Sequence, residues 1–143
     1  MPNIVLAQSD NDLARSFPVM RELRPNLGES AFLPQVKRQI ESQGYRIAFV
    51  EDNGEVAAVA GFRVVEMLAW GGTMYVDDLV TAETKRSTGY GGTLFDWLVE
   101  QARTLGCDQF HLDSGVQRYG AHRFYLPRGL DITSHHFEMT LGT

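Results

Sequence analysis

The stretch Arg86-Ser87-Thr88-Gly89-Tyr90-Gly91-Gly92 lies between a strand-like segment and a helix-like segment. Upstream, residues 73–81 are rich in β-branched and aromatic residues and predict a strand. Downstream, residues 93–102 carry apolar residues at helical spacing. A glycine-rich turn that opens a helix leaves backbone N–H groups unpaired where the helix dipole favours negative charge, and Lys85 adds positive charge beside Arg86. The stretch therefore predicts a binding site for a phosphorylated ligand.

The whole chain has 143 residues, which predicts a single domain over residues 1–143 with one core. Its net charge of −5 argues against a general nucleic-acid binder. No apolar run approaches the roughly 20 residues that span a membrane, and the N-terminus lacks the pattern of a secretory signal. Cys107 is the single cysteine, so no intrachain disulfide forms, and a cytoplasmic location is expected. We expect neither nucleic acid nor a membrane as a partner.

The order of predicted elements is β-α-α-β-β-β-α-β-α-β. Within it, a helix over residues 10–24 is expected to be kinked or divided by Pro18. Asn53-Gly54 predicts a tight hairpin turn, because both residues tolerate positive φ. Residues 130–141 are expected to hold one or two final strands. This order predicts an α/β fold, with a mixed sheet and helices on its faces.

Three motifs carry a resemblance to a known family. Residues 86–91 fit the pattern of Arg or Gln, two residues, Gly, one residue, then Gly or Ala. Asp77-Asp78-Leu79-Val80 resembles the acidic-acidic-Leu-Val strand that leads into that loop, and residues 121–130 resemble a downstream segment centred on Tyr125. In this order and spacing they resemble the GNAT superfamily of N-acetyltransferases. The resemblance implies the GNAT-like acyl-CoA N-acyltransferase fold, a central mixed sheet flanked by helices.

The resemblance implies acetyl-CoA as cosubstrate. Its pyrophosphate suits the backbone N–H groups of the glycine-rich loop, here Arg86, Ser87, Thr88, Gly89, Tyr90, Gly91 and Gly92. Its pantetheine arm would pair like an added strand with the backbone of Leu79, Val80 and Thr81. Many members carry Asn seven residues before the tyrosine, where this chain has Arg118. The cofactor contact of that Asn is expected to be altered here, or replaced by a charge on a phosphate.

The chemistry implied is direct attack of a neutral amine on the thioester in a ternary complex. Tyr125 occupies the family's general-acid position, and a phenol with a pKa of ~10 can donate a proton to the departing thiolate. The base stays open. Asp77 and Asp78 are adjacent on a strand, so we expect their side chains to point to opposite faces of the sheet, with one of them facing the substrate. We take Asp77 as the candidate base. The other options are a water relay or one of the four histidines, His111, His122, His135 and His136.

Other functions fit the residues less well. A Rossmann site would need Gly where Leu94 stands, a P-loop would need a Lys after the glycines, and a Gly-x-Ser-x-Gly elbow is absent. The histidines and Cys107 show no metal-ligand spacing, so no metal is expected. Cys107 is expected to be a small buried residue rather than an acyl-carrying nucleophile.

The favoured function is acetyl transfer to the primary amine of a small molecule. The alternatives are a protein or peptide N-acetyltransferase and a non-catalytic acyl-CoA-binding sensor. The charge of the substrate stays open, since a polyamine would suit an acidic cleft and an amino acid would suit an arginine in the cleft. A homodimer is expected because many family members dimerise.

Overall fold

A computed structural model describes residues 2–142. Its residues form two compact units, a first unit that ends at His111 and a second unit that begins at Leu112. In chain order, the strands and α-helices are β1 (Asn3–Ala7), α1 (Asp10–Arg15), α2 (Phe17–Leu23), α3 (Glu29–Gln43), β2 (Arg46–Asp52), β3 (Glu55–Met67), β4 (Gly71–Thr81), α4 (Tyr90–Thr104), β5 (Gln109–Leu112) and α5 (Tyr119–Tyr125). Among the described residues, every helix is too short or too polar to span a bilayer.

The five strands form one sheet in the order β1-β2-β3-β4-β5. The pairs β1–β2, β2–β3 and β3–β4 are antiparallel. β5 follows β4 through α4, and the N–H of Asp108 donates to the carbonyl of Gly72 at 2.7 Å, so both strands begin side by side. A helical crossover of this kind joins parallel strands. The predicted α/β fold with a mixed sheet is confirmed.

The β2–β3 hairpin turns at Asn53 and Gly54, as predicted. Both residues have positive φ, 53° and 78°, which matches the tight turn that follows the twist of the two strands. The turn leaves Asp52 as the last residue of β2 and Glu55 as the first of β3. These two carboxylates anchor the glycine-rich loop.

The helix expected over residues 10–24 is divided. Ser16 ends α1 and caps α2, and Pro18 lies in the first turn of α2, where its missing N–H leaves no hydrogen bond unmade. The sheet and α1 to α3 bury a common core of Leu13, Phe17, Met20, Phe32, Val36, Ile47, Phe49, Val59 and Val80. This core packs α2 against β4.

Helix α4 covers the other face of the sheet. Successive side chains of β3 point to opposite faces of the sheet, so Phe62 lies on the face opposite to that of Val59. There the Phe62 ring contacts the Trp97 ring of α4 edge-on, with the ring centroids 6.2 Å apart. Leu94 and Leu98 of α4 are fully buried. The packing of α4 holds its N-terminus, and therefore the glycine-rich loop, beyond the end of β4.

The strands expected within residues 130–141 are not formed. Residues 130–142 contain no strand, and Ile132, Phe137, Met139 and Leu141 are exposed. The prediction was wrong, because a strand also needs a neighbouring strand edge to pair its backbone groups.

Candidate active site

The glycine-rich loop presents backbone donors to open space. Gly89 adopts the left-handed conformation (φ 88°, ψ 0°) as the N-cap of α4, and no side chain of the described residues caps that helix start. The first N–H groups of an α-helix have no partner within the helix. A Cβ atom added to Gly89 would meet no atom within 4 Å. The loop therefore fits a pyrophosphate, which would accept hydrogen bonds from these N–H groups at the positive end of α4.

Two contacts anchor this loop to the β2–β3 hairpin. The Tyr90 hydroxyl donates to Oδ2 of Asp52 at 2.6 Å, and Nζ of Lys85 lies 2.9 Å from Oε2 of Glu55. The hydrogen bond to Asp52 raises the pKa of Tyr90, and the bond to Glu55 raises the pKa of Lys85. Sequence reasoning counted Lys85 as a charge for the ligand, but its charge is paired with Glu55. Arg86 is exposed, and its role as a positive charge for the ligand stays a prediction.

The segment predicted to pair with pantetheine leads directly into the loop. Leu79, Val80 and Thr81 are the last residues of β4, and they pair with Ala60, Val59 and Ala58 of β3. A short helical turn over Glu83–Lys85 follows, and its first N–H donates to Oε1 of Glu22 at 2.8 Å. The three strand residues and the glycine-rich loop therefore follow one another closely along the chain, separated by this short helical turn. The backbone contact with pantetheine stays a prediction.

A β-bulge interrupts β4 at Asp77. Gly61 lies opposite Asp78 and Phe62 lies opposite Val76, so Asp77 is an extra residue of β4 that lies opposite no residue of β3 in the strand register. Asp77 and Asp78 consequently line the same cleft, which has a volume of about 560 Å³. The expectation that they point to opposite faces was wrong, because the extra residue breaks the alternation of the strand.

Asp77 is held by a two-pronged ion pair with Arg63. Nε of Arg63 donates to Oδ2 at 3.0 Å, and Nη2 donates to Oδ1 at 3.0 Å. Burial raises the pKa of Asp77, the ion pair with Arg63 opposes the rise, and the nearby charge of Asp78 adds to it. A carboxylate with a raised pKa in a cleft is a candidate proton acceptor.

Asp78 is held by two other donors. The Tyr45 hydroxyl donates to Oδ2 of Asp78 at 2.6 Å, and Nε of Arg24 donates to Oδ1 at 3.0 Å. Nη2 of Arg24 also donates to the backbone carbonyl of Asp77 at 3.0 Å. Burial raises the pKa of Tyr45 far above its ordinary value, so the hydroxyl keeps its proton and remains a donor.

Sequence reasoning missed Tyr45 and Gly61. A Cβ atom on Gly61 would overlap the Tyr45 hydroxyl and lie 2.7 Å from Oδ2 of Asp78, so the hydrogen bond exists because residue 61 has no side chain. A glycine inside a long strand often marks such a close approach, and Gly61 in the middle of β3 was the available signal.

The cleft has an apolar wall and a polar floor. The wall consists of side chains from α2, α3 and the loop between them, namely Met20, Leu23, Leu27, Phe32 and Val36. The floor holds Tyr45 and the two carboxylates. Among the described residues that line the cleft, Arg24 is the one basic side chain. The volume of the cleft lies in the range of small-molecule binding sites.

Tyr125 and Arg118 belong to the second unit. Arg118 is the N-cap of α5 and Tyr125 is its last residue. Burial raises the pKa of Tyr125, and the charge of Arg118 opposes the rise. A phenol with a raised pKa carries its proton at neutral pH, as a general acid must. The roles of Tyr125 as acid and of Arg118 as a phosphate contact stay predictions.

Three of the four histidines have partners of their own. The His111 ring stacks on Trp70 with centroids 3.6 Å apart, Nε2 of His122 lies 2.9 Å from the Gly115 carbonyl, and Nδ1 of His136 lies 3.5 Å from a carboxylate oxygen of Asp113. No histidine is among the described residues that line the cleft. Asp77, which does line the cleft, is therefore a better candidate base than any of the four histidines.

Comparison with known proteins agrees with this geometry. The sequence model of the Acetyltransferase (GNAT) family matches residues 11–130. An uncharacterized N-acetyltransferase of Bacillus subtilis (strain 168), YhdJ, is 33% identical over 130 residues, which cover 90% of this chain and 92% of that protein. The aminoalkylphosphonate N-acetyltransferase of Salmonella typhimurium (strain LT2) is 31% identical over 99 residues, 67% of this chain and 60% of that protein.

A solved structure shows the same fold. The structure of AAC(6')-Iy, in complex with the bisubstrate analog CoA-S-monomethyl-acetylneamine, superposes with a TM-score of 0.85 at 11% identity and covers 100% of this chain and 99% of that chain. The family match extends over most of the chain, and YhdJ is similar along nearly its whole length. The chain therefore belongs to the GNAT superfamily of N-acetyltransferases and is an acyltransferase.

Proposed function

We propose that this chain transfers an acetyl group from acetyl-CoA to the primary amine of a small molecule, by direct attack in a ternary complex. The observation that carries the proposal is the arrangement along β4. Its bulge places Asp77 and Asp78 in a cleft of about 560 Å³, and its last residues run on towards the open N-terminus of α4. The Salmonella relative is named for an aminoalkylphosphonate, and AAC(6')-Iy was solved with an analog of acetylneamine; both names support a small amine as substrate.

The residues present fit acetyl-CoA. The N–H groups of residues 86–92 would hold its pyrophosphate, with Arg86 beside them and Arg118 as a further phosphate contact. The backbone of Leu79–Thr81 would hold the pantetheine arm. When bound, acetyl-CoA supplies an acetyl group activated as a thioester. The open space above Gly89 is the structural support for this assignment.

The chain's own residues would then move two protons. The carboxylate of Asp77 accepts a proton from the amine as the new C–N bond forms. The Tyr125 hydroxyl gives its proton to the sulfur as the C–S bond breaks. Tyr125 then regains a proton from solvent, and Asp77 releases the proton that it accepted to solvent. The acetylated amine and free CoA are the products, so atoms and charges balance. Positioning both reactants supplies much of the remaining acceleration.

The cleft favours a small substrate over a peptide, because it is bounded by α2, α3 and the floor of β4. A sensor that only binds acyl-CoA would have no need of the carboxylate pair.

We also propose that the chain acts as one domain, in the cytoplasm and as a homodimer. The proposed location rests on its single cysteine, and sedimentation would test the dimer.

Turnover tests the proposal. The purified protein is given acetyl-CoA with a panel of small amines and, separately, with lysine-containing peptides. Free thiol is measured, and the acetylated product is identified by mass. Thiol release with small amines and a product of matching mass supports the proposal. Transfer to peptides alone favours the protein acetyltransferase, and acetyl-CoA binding without transfer favours the sensor.

A further inference from the structure

Arg24 occupies an unusual position in the cleft. It is the C-cap residue that follows α2, it lies in the cleft lining, and its side chain is 50% exposed. Two of its nitrogens face inward, since Nε and Nη2 donate to Asp78 and to the backbone carbonyl of Asp77. Among residues 2–142, Nη1 makes no hydrogen bond or ion pair. The guanidinium therefore has one edge bound to the carboxylate floor and another edge available to a ligand.

The charges around this position are balanced in pairs. Arg63 neutralises Asp77, and Arg24 neutralises Asp78. A substrate that carries only an ammonium group would place a third cation beside two existing ones. A substrate that also carries an anion would bring its own neutralising charge. Like charges in close contact are destabilising, so the balanced floor favours the second kind of substrate.

We propose that the substrate amine bears an anionic group, a carboxylate, phosphate or phosphonate, and that Arg24 binds this group. The inference rests on the proposed acetyl transfer and names the substrate class of that site. The amine lies beside Asp77 and Asp78, and the anion lies against the free edge of Arg24. The carbon skeleton contacts Leu23 and Leu27 of the apolar wall.

Arginine suits this task because its planar guanidinium has five donors in a fixed geometry. One edge can stay on Asp78 while the other donates to an anion. The amine and the anion are then separated by about the width of one guanidinium group. This spacing favours a short skeleton of a few carbons and disfavours long polyamines.

The first test uses the unmodified protein with amines matched in length. Propylamine carries no anion, whereas beta-alanine, aminoethylphosphonate and phosphoethanolamine each add one. We expect kcat/KM for at least one anionic amine to exceed that for propylamine by about 10-fold or more, the gain of one charge-assisted hydrogen bond. The carboxylate, phosphonate and phosphate arms show which anion is preferred. Equal or better turnover of propylamine would overturn the inference.

The second test uses Arg24→Gln with Arg21→Gln as the matched control. Arg21 lies on the same helix, is exposed and is outside the cleft lining. Arg24→Gln should lower the ratio of kcat/KM for the anionic amine to that for propylamine by about 10- to 100-fold. Because the ratio cancels effects common to both amines, a general disturbance of Asp78 leaves it unchanged. A ratio that is unchanged in Arg24→Gln, or lowered equally in Arg21→Gln, would overturn the inference.

A binding measurement separates this inference from the proposed function. Propylphosphonate has the anion but no amine, and its binding is measured by calorimetry without any turnover. Saturable binding to the unmodified protein that weakens about 10-fold or more in Arg24→Gln supports Arg24 as the anion site, even if no amine is acetylated. Absence of binding together with no preference among the amines contradicts it. Thiol release without anion preference overturns the inference and leaves acetyl transfer standing.

Discussion

Replacing Gly61 with alanine should strongly destabilise the protein. The new Cβ would overlap the hydroxyl and Cζ of Tyr45 and would lie 2.7 Å from Oδ2 of Asp78. Tyr45 is 3% exposed and cannot swing into solvent without leaving the core. Overpacking a tight core costs about 1–3 kcal/mol, and a lost hydrogen bond to a charged group costs about 1.5–3 kcal/mol. The free energy of unfolding should therefore fall by about 3–5 kcal/mol, a large part of the ordinary total.

Urea unfolding of purified variants measures this change. Gly28→Ala is the matched control, because a Cβ at Gly28 would meet no atom within 4 Å and its φ is −87°. As a change at a helix N-cap, it should cost about 1 kcal/mol or less. Adding Tyr45→Phe removes the clashing hydroxyl, so the cost of Gly61→Ala should shrink by about 1–2 kcal/mol in that background. A Gly61→Ala protein as stable as Gly28→Ala would refute the account of the Tyr45–Asp78 contact.

Three further predictions concern the chemistry. Tyr125→Phe should lower kcat by ~10²-fold or more with little change in acetyl-CoA affinity, and an unchanged kcat in steady-state assays would remove Tyr125 from the mechanism. Gly89→Val should abolish acetyl-CoA binding in calorimetry, because a branched side chain is strained at φ 88° and would fill the space above the loop; normal affinity would place the ligand elsewhere. Burial raises the pKa of Asp77 above the ordinary aspartate value of ~3.9. Because the base acts as the carboxylate, kcat/KM should increase with pH as Asp77 loses its proton, and this increase should lie above the pH range of an ordinary aspartate. Asp77→Asn should lower kcat and remove that increase, and a pH profile unaffected by this change would exclude Asp77 as the base.

Local patterns allowed much of the fold to be predicted. The glycine-rich loop before α4 and the Asn53-Gly54 turn both depend on the φ preferences of a few adjacent residues, and the structure has them where the sequence placed them. The strand and helix order follows from hydrophobic periodicity, which records local geometry and burial together. These features need no knowledge of distant contacts.

The cleft depends on contacts that periodicity does not record. The bulge at Asp77 arises from the pairing of β4 with β3, and the Tyr45–Asp78 bond joins residues that lie 33 positions apart. The tether from Tyr90 to Asp52 spans 38 positions. Residues 130–142 show the opposite case, since one or two strands were expected within residues 130–141 and the structure forms none there.

The proposed acetyl transfer requires that the open loop at the start of α4 binds acetyl-CoA. A calorimetric titration of the purified protein with acetyl-CoA, with ATP and NAD as controls, tests it most directly. We expect saturable binding of acetyl-CoA at one site and no comparable binding of ATP or NAD. No binding of acetyl-CoA, or equal binding of all three, would contradict it.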